Sequence, residues 1–215
     1  MIFLKGILFD LDGTLLDTLN DLEDAVNVTM AAFGWPLRSR EEVRSFVGNG
    51  VGSLVAQAIP AGLSKAAGEA ALEFLRTYYA AHSGDAAVPY PGVMELLHTL
   101  NKRGIPMAVV TNKPEGPALR LAEQHFPGLF AAVVGECSDR PRKPAPDMPL
   151  YALKQMGLDP EDVVYVGDSE VDIRTARSAG IPVMSVTWGF RDREDLEKLE
   201  PDWLIDRPEE LLELL

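Results

Sequence analysis

Two aspartates, Asp10 and Asp12, stand two residues apart where a short apolar run, Ile7 to Leu11, gives way to Gly13 and Thr14. Two more, Asp168 and Asp172, follow a second such run, Val163 to Gly167. A third run, Met107 to Thr111, ends on a hydroxyl followed by Asn112 and Lys113, and Lys143 lies in Arg142-Lys143-Pro144. Brought to one place, the carboxylates repel: each like-charge pair about 4 Å apart costs on the order of 4 kcal/mol at an effective dielectric near 20. A cation must compensate. Oxygen donors with no nearby His or Cys select a hard divalent ion, Mg²⁺ foremost, and Lys143 adds a second positive charge. This set suits phosphoryl transfer, in which an ionised carboxylate attacks phosphorus to form an aspartyl phosphate. Mg²⁺ and Lys143 would neutralise the equatorial oxygens, while Thr111 and backbone N–H groups hold the phosphoryl. Asp12 is placed to protonate a leaving alcohol and then to activate water, a division of labour that needs two acids of different pKa.

These signals converge only if the runs that carry them are neighbouring strands, since ligands of open α/β sheets bind at the carboxyl edge. Val- and Ile-rich runs alternate with amphipathic stretches, which predicts βα units and a Rossmann-like parallel sheet. The expected strands are Ile7 to Leu11, Met107 to Thr111, Ala131 to Gly135, Val163 to Gly167, Val183 to Thr187 and Trp203 to Ile205. Helices are expected over Val93 to Lys102, Pro117 to His125, Met148 to Met156 and Glu170 to Ala179. Between the first two strands, Asp17 to Ala87 holds no β-rich run and shows helical stripes: Leu22, Val26, Met30 and Phe33, then Leu72, Leu75 and Tyr79. The return path, Val88-Pro89-Tyr90-Pro91-Gly92, is Pro-rich and extended. The expected organisation is therefore an α/β core over 1–16 and 88–215 with an inserted all-helical cap over 17–87. The end, Pro208 to Leu215, reads as an amphipathic helix.

Composition narrows the partners. The 215 residues carry 20 Lys plus Arg against 33 Asp plus Glu, a net charge of −13, which opposes a nucleic-acid or anionic-membrane surface. An anionic small molecule remains compatible where a metal, local cations or helix N-termini override that field. A hydrophobic share of 47% and no apolar stretch near 20 residues predict a soluble globular protein without a membrane span. With Cys137 as the single cysteine, no intrachain disulfide forms, and a reducing cytoplasm is expected. His82, His98 and His125 lack metal-ligand spacing and read as structural, and Trp188-Gly189-Phe190 reads as core or rim packing. The expected assembly is a monomer or a homodimer.

The four signals, in this order, resemble the haloacid dehalogenase superfamily of phosphohydrolases. Asp10-Leu11-Asp12-Gly13-Thr14 is similar to its first motif, Thr111 to its second, Lys143 to its third, and Gly167-Asp168 through Asp172 to its fourth. The resemblance implies Asp10 as nucleophile and Asp12 as general acid and base. It also implies Mg²⁺ held by the carboxylates of Asp10 and Asp168 and the backbone carbonyl of Asp12, with Asp172 supporting, and a helical cap in the inserted segment. Val47-Gly48-Asn49-Gly50, Thr111-Asn112-Lys113-Pro114 and Arg142-Lys143-Pro144 resemble a branch of it, the bacterial phosphoglycolate phosphatases. That branch implies a small phosphorylated metabolite, 2-phosphoglycolate, as substrate, with Gly48, Asn49, Gly50, Asn112 and Lys113 as candidate contacts. Arg44 is a candidate partner for a substrate carboxylate. Glu170-Val171 departs from the polar or basic residues common between the paired aspartates. Competing readings are a phosphosugar mutase or pyrophosphatase of the same superfamily and a phosphoacceptor switch domain.

Overall fold

The computed structural model describes residues 4–214, so Met1 to Phe3 of the apolar start and Leu215 of the expected terminal helix lie outside the described residues. The strands are β1 (Gly6–Phe9), β2 (Leu16–Asp17), β3 (Val88–Pro89), β4 (Met107–Pro114), β5 (Ala132–Glu136), β6 (Val163–Gly167), β7 (Val183–Val186) and β8 (Trp203–Ile205). Six of them form a sheet in the order β5-β4-β1-β6-β7-β8, every neighbouring pair parallel. By contacts the chain divides into two compact units, one running to Asp17 and resuming at Pro89, the other spanning Thr18–Val88.

In the first unit, β1 lies between β4 and β6 and is buried along its whole length. Parallel strands covered on both faces must be apolar on both, which is why Ile7, Leu8 and Phe9 run without alternation. One face sets Leu8, Ala108, Val110, Val163 and Tyr165 against Met148, Ala152 and Leu153 of α7 (Asp147–Met156) and Ile173 and Ala176 of α8 (Glu170–Ala179). Their neighbours Ile7, Phe9, Val109, Val164 and Val166 take the opposite face by the two-residue period and are equally buried. Each such side chain contributes about 1.5 to 3 kcal/mol when fully buried, so the stability of the sheet is concentrated in its central strands. Further helices are α5 (Val93–Lys102), α6 (Glu115–His125), α9 (Arg193–Glu197) and α10 (Glu210–Leu214), the last burying Leu211.

At the carboxyl edge β5 and β7 end within one residue of expectation, and two boundaries differ by more. β1 stops at Phe9 rather than Leu11, because after one more ladder bond, Asp10 N–H to the Val166 carbonyl at 2.9 Å, the chain turns and Leu15 and Leu16 both donate to the Leu11 carbonyl. β4 runs on to Pro114 through a register shift against β5, carrying the polar pair Asn112 and Lys113 into the buried interior.

The second unit is made of α1 (Leu19–Ala32), α2 (Arg40–Phe46), α3 (Gly50–Ala58) and α4 (Lys65–His82). Leu22, Val26 and Met30 of α1 and Ala71, Leu75 and Tyr79 of α4 form the buried stripes. Phe33 and Leu72 of the expected stripes are only partly buried. Ser39 and Glu42 close a capping box at the start of α2, and Asp21 receives the amides of Gly84 and Ala86, both at 2.8 Å. Among the described residues no helix is long and apolar enough to cross a membrane.

Candidate active site

Asp10 leaves the end of β1, Asp168 the end of β6 and Asp172 the first turn of α8. The order of the sheet makes β1 and β6 neighbours and so brings the three together. Their carboxylates are all buried, with one oxygen from each lying within 4.8 Å of the others. Lys143 reaches this group from the loop before α7. Its Nζ lies 2.9 Å from Asp10 Oδ1 and 2.7 Å from Asp172 Oδ1, and it also donates to the Val110 carbonyl and the Tyr165 hydroxyl, both at 3.2 Å. Asp172 is further fixed by its own helix: Ser169 is the N-cap of α8, and its hydroxyl and amide donate to Asp172 Oδ2 at 2.6 and 3.1 Å. Both oxygens of Asp172 are therefore engaged.

The electrostatics follow from this crowding. Burial pushes the Asp10 carboxyl well above the usual carboxylate range; Lys143 opposes the rise, and Asp172 and Asp168 add to it. Asp168 is raised to about 7, first by burial and then by Asp172, against the opposing pull of the Phe190 amide, Arg191 and Thr14. Burial also works against the charge of Lys143, but Asp10 and Asp172 overcome it and hold the ammonium protonated. Were all three carboxylates ionised, the one ammonium would leave two negative charges uncompensated, and the raised Asp10 and Asp168 carboxyls reflect the cost of that charge. An all-oxygen, buried cluster with that residual charge fits one hard divalent cation.

Asp12 does not join the trio. Its Oδ1 accepts from Lys113 Nζ at 3.1 Å, a pair whose lysine side chain is 1% exposed and whose aspartate is 15% exposed. Thr111, buried in β4, receives the Lys113 amide on its hydroxyl at 3.1 Å. Asn112 latches the Lys143 loop: its Oδ1 accepts the Lys143 amide at 2.8 Å and its Nδ2 donates to the Lys143 carbonyl at 3.2 Å. The expected substrate contacts Asn112 and Lys113 are thus both held by neighbours in the core. Arg44, Gly48, Asn49 and Gly50 lie together around the α2–α3 turn of the helical unit, where Gly48 and Gly50 have positive φ and Asn49 is the N-cap of α3.

Sequence reasoning read Trp188-Gly189-Phe190, in the loop after β7, as core or rim packing and did not find its bonds to Asp168 and Thr14. The Phe190 amide donates to Asp168 Oδ2 at 2.7 Å, opposite the Thr14 hydroxyl, which donates to Asp168 Oδ1 at 3.1 Å. The Trp188 indole donates to the Thr14 carbonyl at 3.0 Å. A Cβ on Gly189 would collide with Asp168 and with the Gly13 carbonyl, and one on Gly13, which has φ near 90°, would collide with the Asp168 carboxylate. These two glycines let the loops close on the aspartate. The only signal in the sequence was a glycine between two aromatics directly after a strand. Tyr165 was also missed: its hydroxyl donates to the Val110 carbonyl at 3.0 Å beside Lys143.

Residues 7–186 match the family model for haloacid dehalogenase-like hydrolases. The chain belongs to that family. It is 36% identical over 213 residues to phosphoglycolate phosphatase 1 of Pseudomonas aeruginosa, covering 96% of this chain and 78% of that one. It is 40% identical over 208 residues to the phosphoglycolate phosphatase of Rhodospirillum rubrum, covering 91% and 84% of the two chains. Among solved structures, a haloacid dehalogenase-like family hydrolase from Streptococcus pneumoniae aligns with a TM-score of 0.90 at 30% identity, over 100% of this chain and 99% of that one. In this haloacid dehalogenase-like hydrolase the buried acidic trio and its lysine therefore sit on the fold of the whole family, at the edge where the four sequence signals converge.

Proposed function

We propose that this phosphatase is a Mg²⁺-dependent phosphomonoesterase acting on a small phosphorylated metabolite, 2-phosphoglycolate foremost. The names of its relatives support the substrate, and one observation carries the chemistry: a buried carboxylate, Asp10, held 2.9 Å from Lys143 inside a cluster that needs a divalent cation. Asp10 Oδ1 accepts both from Lys143 and from the Leu11 amide at 2.7 Å, so Oδ2 is the oxygen left for attack on phosphorus. As the Asp10 Oδ2–P bond forms and the ester P–O bond breaks, Asp12 gives its proton to the departing alcohol. Asp12 then takes a proton from water, whose oxygen attacks phosphorus and breaks the acyl phosphate, releasing inorganic phosphate and restoring Asp10. Lys113 on Asp12 Oδ1 leaves Oδ2 for both proton movements.

When bound, Mg²⁺ would supply charge neutralisation of the phosphoryl group, held by the carboxylates of Asp10 and Asp168 and the backbone carbonyl of Asp12, with Asp172 in support. Lys143 contributes the second positive charge, and Thr111 with backbone amides holds the phosphoryl oxygens. The helical unit, Thr18–Val88, is assigned the role of cap, with Arg44, Gly48, Asn49 and Gly50 as its contribution to substrate recognition. The test is phosphate release from a panel of phosphate esters with Mg²⁺ and with EDTA. The expected result is turnover with Mg²⁺, fastest on 2-phosphoglycolate and absent in Asp10→Asn. No release from any ester would sink the proposal, a sugar phosphate isomer as product would make the enzyme a mutase, and a stable phosphoprotein without turnover would make it a phosphoacceptor.

A further inference from the structure

The loop that follows β7 is tied to α8 by Arg191, whose Nε and Nη2 donate to Glu170 Oε2 and Oε1 at 2.7 and 3.2 Å. The side chains are 16% and 26% exposed, so this two-pronged pair is not a loosely solvated surface contact. Its placement closes a ring. Asp168 is followed by Ser169 and Glu170; Glu170 bonds Arg191; Arg191 is peptide-linked to Phe190; and the Phe190 amide returns to Asp168 Oδ2 at 2.7 Å. Breaking the ring at the side-chain pair loosens the segment that carries the Phe190 amide, one of the two donors that orient the Asp168 carboxylate. A planar guanidinium fork fixes direction as well as distance, which a lysine's point charge does not.

We infer that Glu170 and Arg191 are positioning residues for Asp168 and that their pairing sets how tightly the core holds Mg²⁺. The inference rests on the Mg²⁺ reading above and extends it to two residues that touch neither metal nor substrate. It also gives Glu170, the departure noted between the paired aspartates, a specific task. Partners that orient a metal ligand typically carry 10- to 100-fold in affinity, so an effect of about tenfold is expected.

The sign separates positioning from simple charge. Arg191 is a cation near the cluster, so if it acted only through its field, Arg191→Met would tighten Mg²⁺ binding, Arg191→Lys would leave it unchanged, and the charge-balanced double variant Glu170→Gln with Arg191→Met would leave it nearly unchanged. Positioning predicts weaker binding in all three. The experiment is calorimetric titration of MgCl₂ into EDTA-treated and dialysed protein, wild type and variants, with kcat and KM measured at saturating Mg²⁺ and circular dichroism as a check on folding. The expected result is a Kd about tenfold higher in R191M and in the double variant and several-fold higher in R191K, with substrate KM within about twofold and kcat restored by excess Mg²⁺. Unchanged or tighter Mg²⁺ binding in R191M, or in R191K should R191M not fold, overturns the inference. Wild-type protein that takes up no Mg²⁺ overturns the metal reading and this inference with it, whereas wild type and variants binding alike overturn the inference alone.

Discussion

Removing divalent cations should make the stability of the protein fall as pH rises, and Asp168 gives the size of the effect. Its carboxyl is raised to about 7 in the folded, metal-free protein by burial and by Asp172, against about 3.9 in an unfolded chain. A folded-state pKa above the unfolded one means that the folded protein binds more protons, so this contribution is fully present below pH 4 and is lost as pH climbs through 7. Three pKa units correspond to about 4 kcal/mol, of which about two-thirds falls between pH 5 and 8. Asp10, also raised by burial, acts in the same direction. For a chain of this length the loss lowers Tm by on the order of 5 to 10 °C between pH 5 and 8. The assay is thermal unfolding in EDTA across that range, repeated in Mg²⁺ and with Asp168→Asn. Under the proposed function Mg²⁺ would bind the ionised carboxylates of the folded protein alone, so its stabilisation should grow with pH, and the slope in EDTA should flatten in D168N. A wild-type slope no steeper than that of D168N, or an Mg²⁺ effect equal at pH 5 and pH 8, would refute the electrostatic account of the cluster.

Three further substitutions follow from the geometry. Asp12→Asn removes the proposed proton donor and should lower kcat by about 10² to 10⁴ with little change in KM, read from steady-state phosphate release; a near-normal kcat would reassign the acid. Asn112→Ala leaves the buried amide and carbonyl of Lys143 without their partner, and urea unfolding should show a loss on the order of 3 kcal/mol together with reduced turnover. Gly189→Ala places a methyl against Asp168 and the Gly13 carbonyl, so phosphate release should drop and Mg²⁺ binding weaken, whereas a fully active G189A would show that the loop yields freely.

What the chain order announces and what only the fold reveals divide along a physical line. Asp10 and Asp168 could be read because each follows an apolar run whose period and composition declare a strand, and the parallel sheet then places strand ends on one edge. The family match and the α/β core rest on those same local patterns. The partners of these residues are set by long-range closure instead. Lys113 meets Asp12 across 101 residues and Trp188 meets the Thr14 carbonyl across 174, distances over which periodicity carries no information. Polarity also misleads locally: Asn112 and Lys113 look like the start of a loop, yet β4 carries them into the interior because the Lys143 backbone and Asp12 satisfy them.

Asp10 and Asp168 are suspended from adjacent inner strands, each flanked by pairing on both sides. The amides of such strands exchange with solvent only through opening of the entire unit, while sheet margins and terminal turns fray at far lower cost. Loss of catalytic competence and loss of the fold should therefore be a single event in this unit: partial melting at β5 or at α10 would leave the acids in register, and an enzyme population heated towards its transition would consist of fully competent and fully inert molecules with little between.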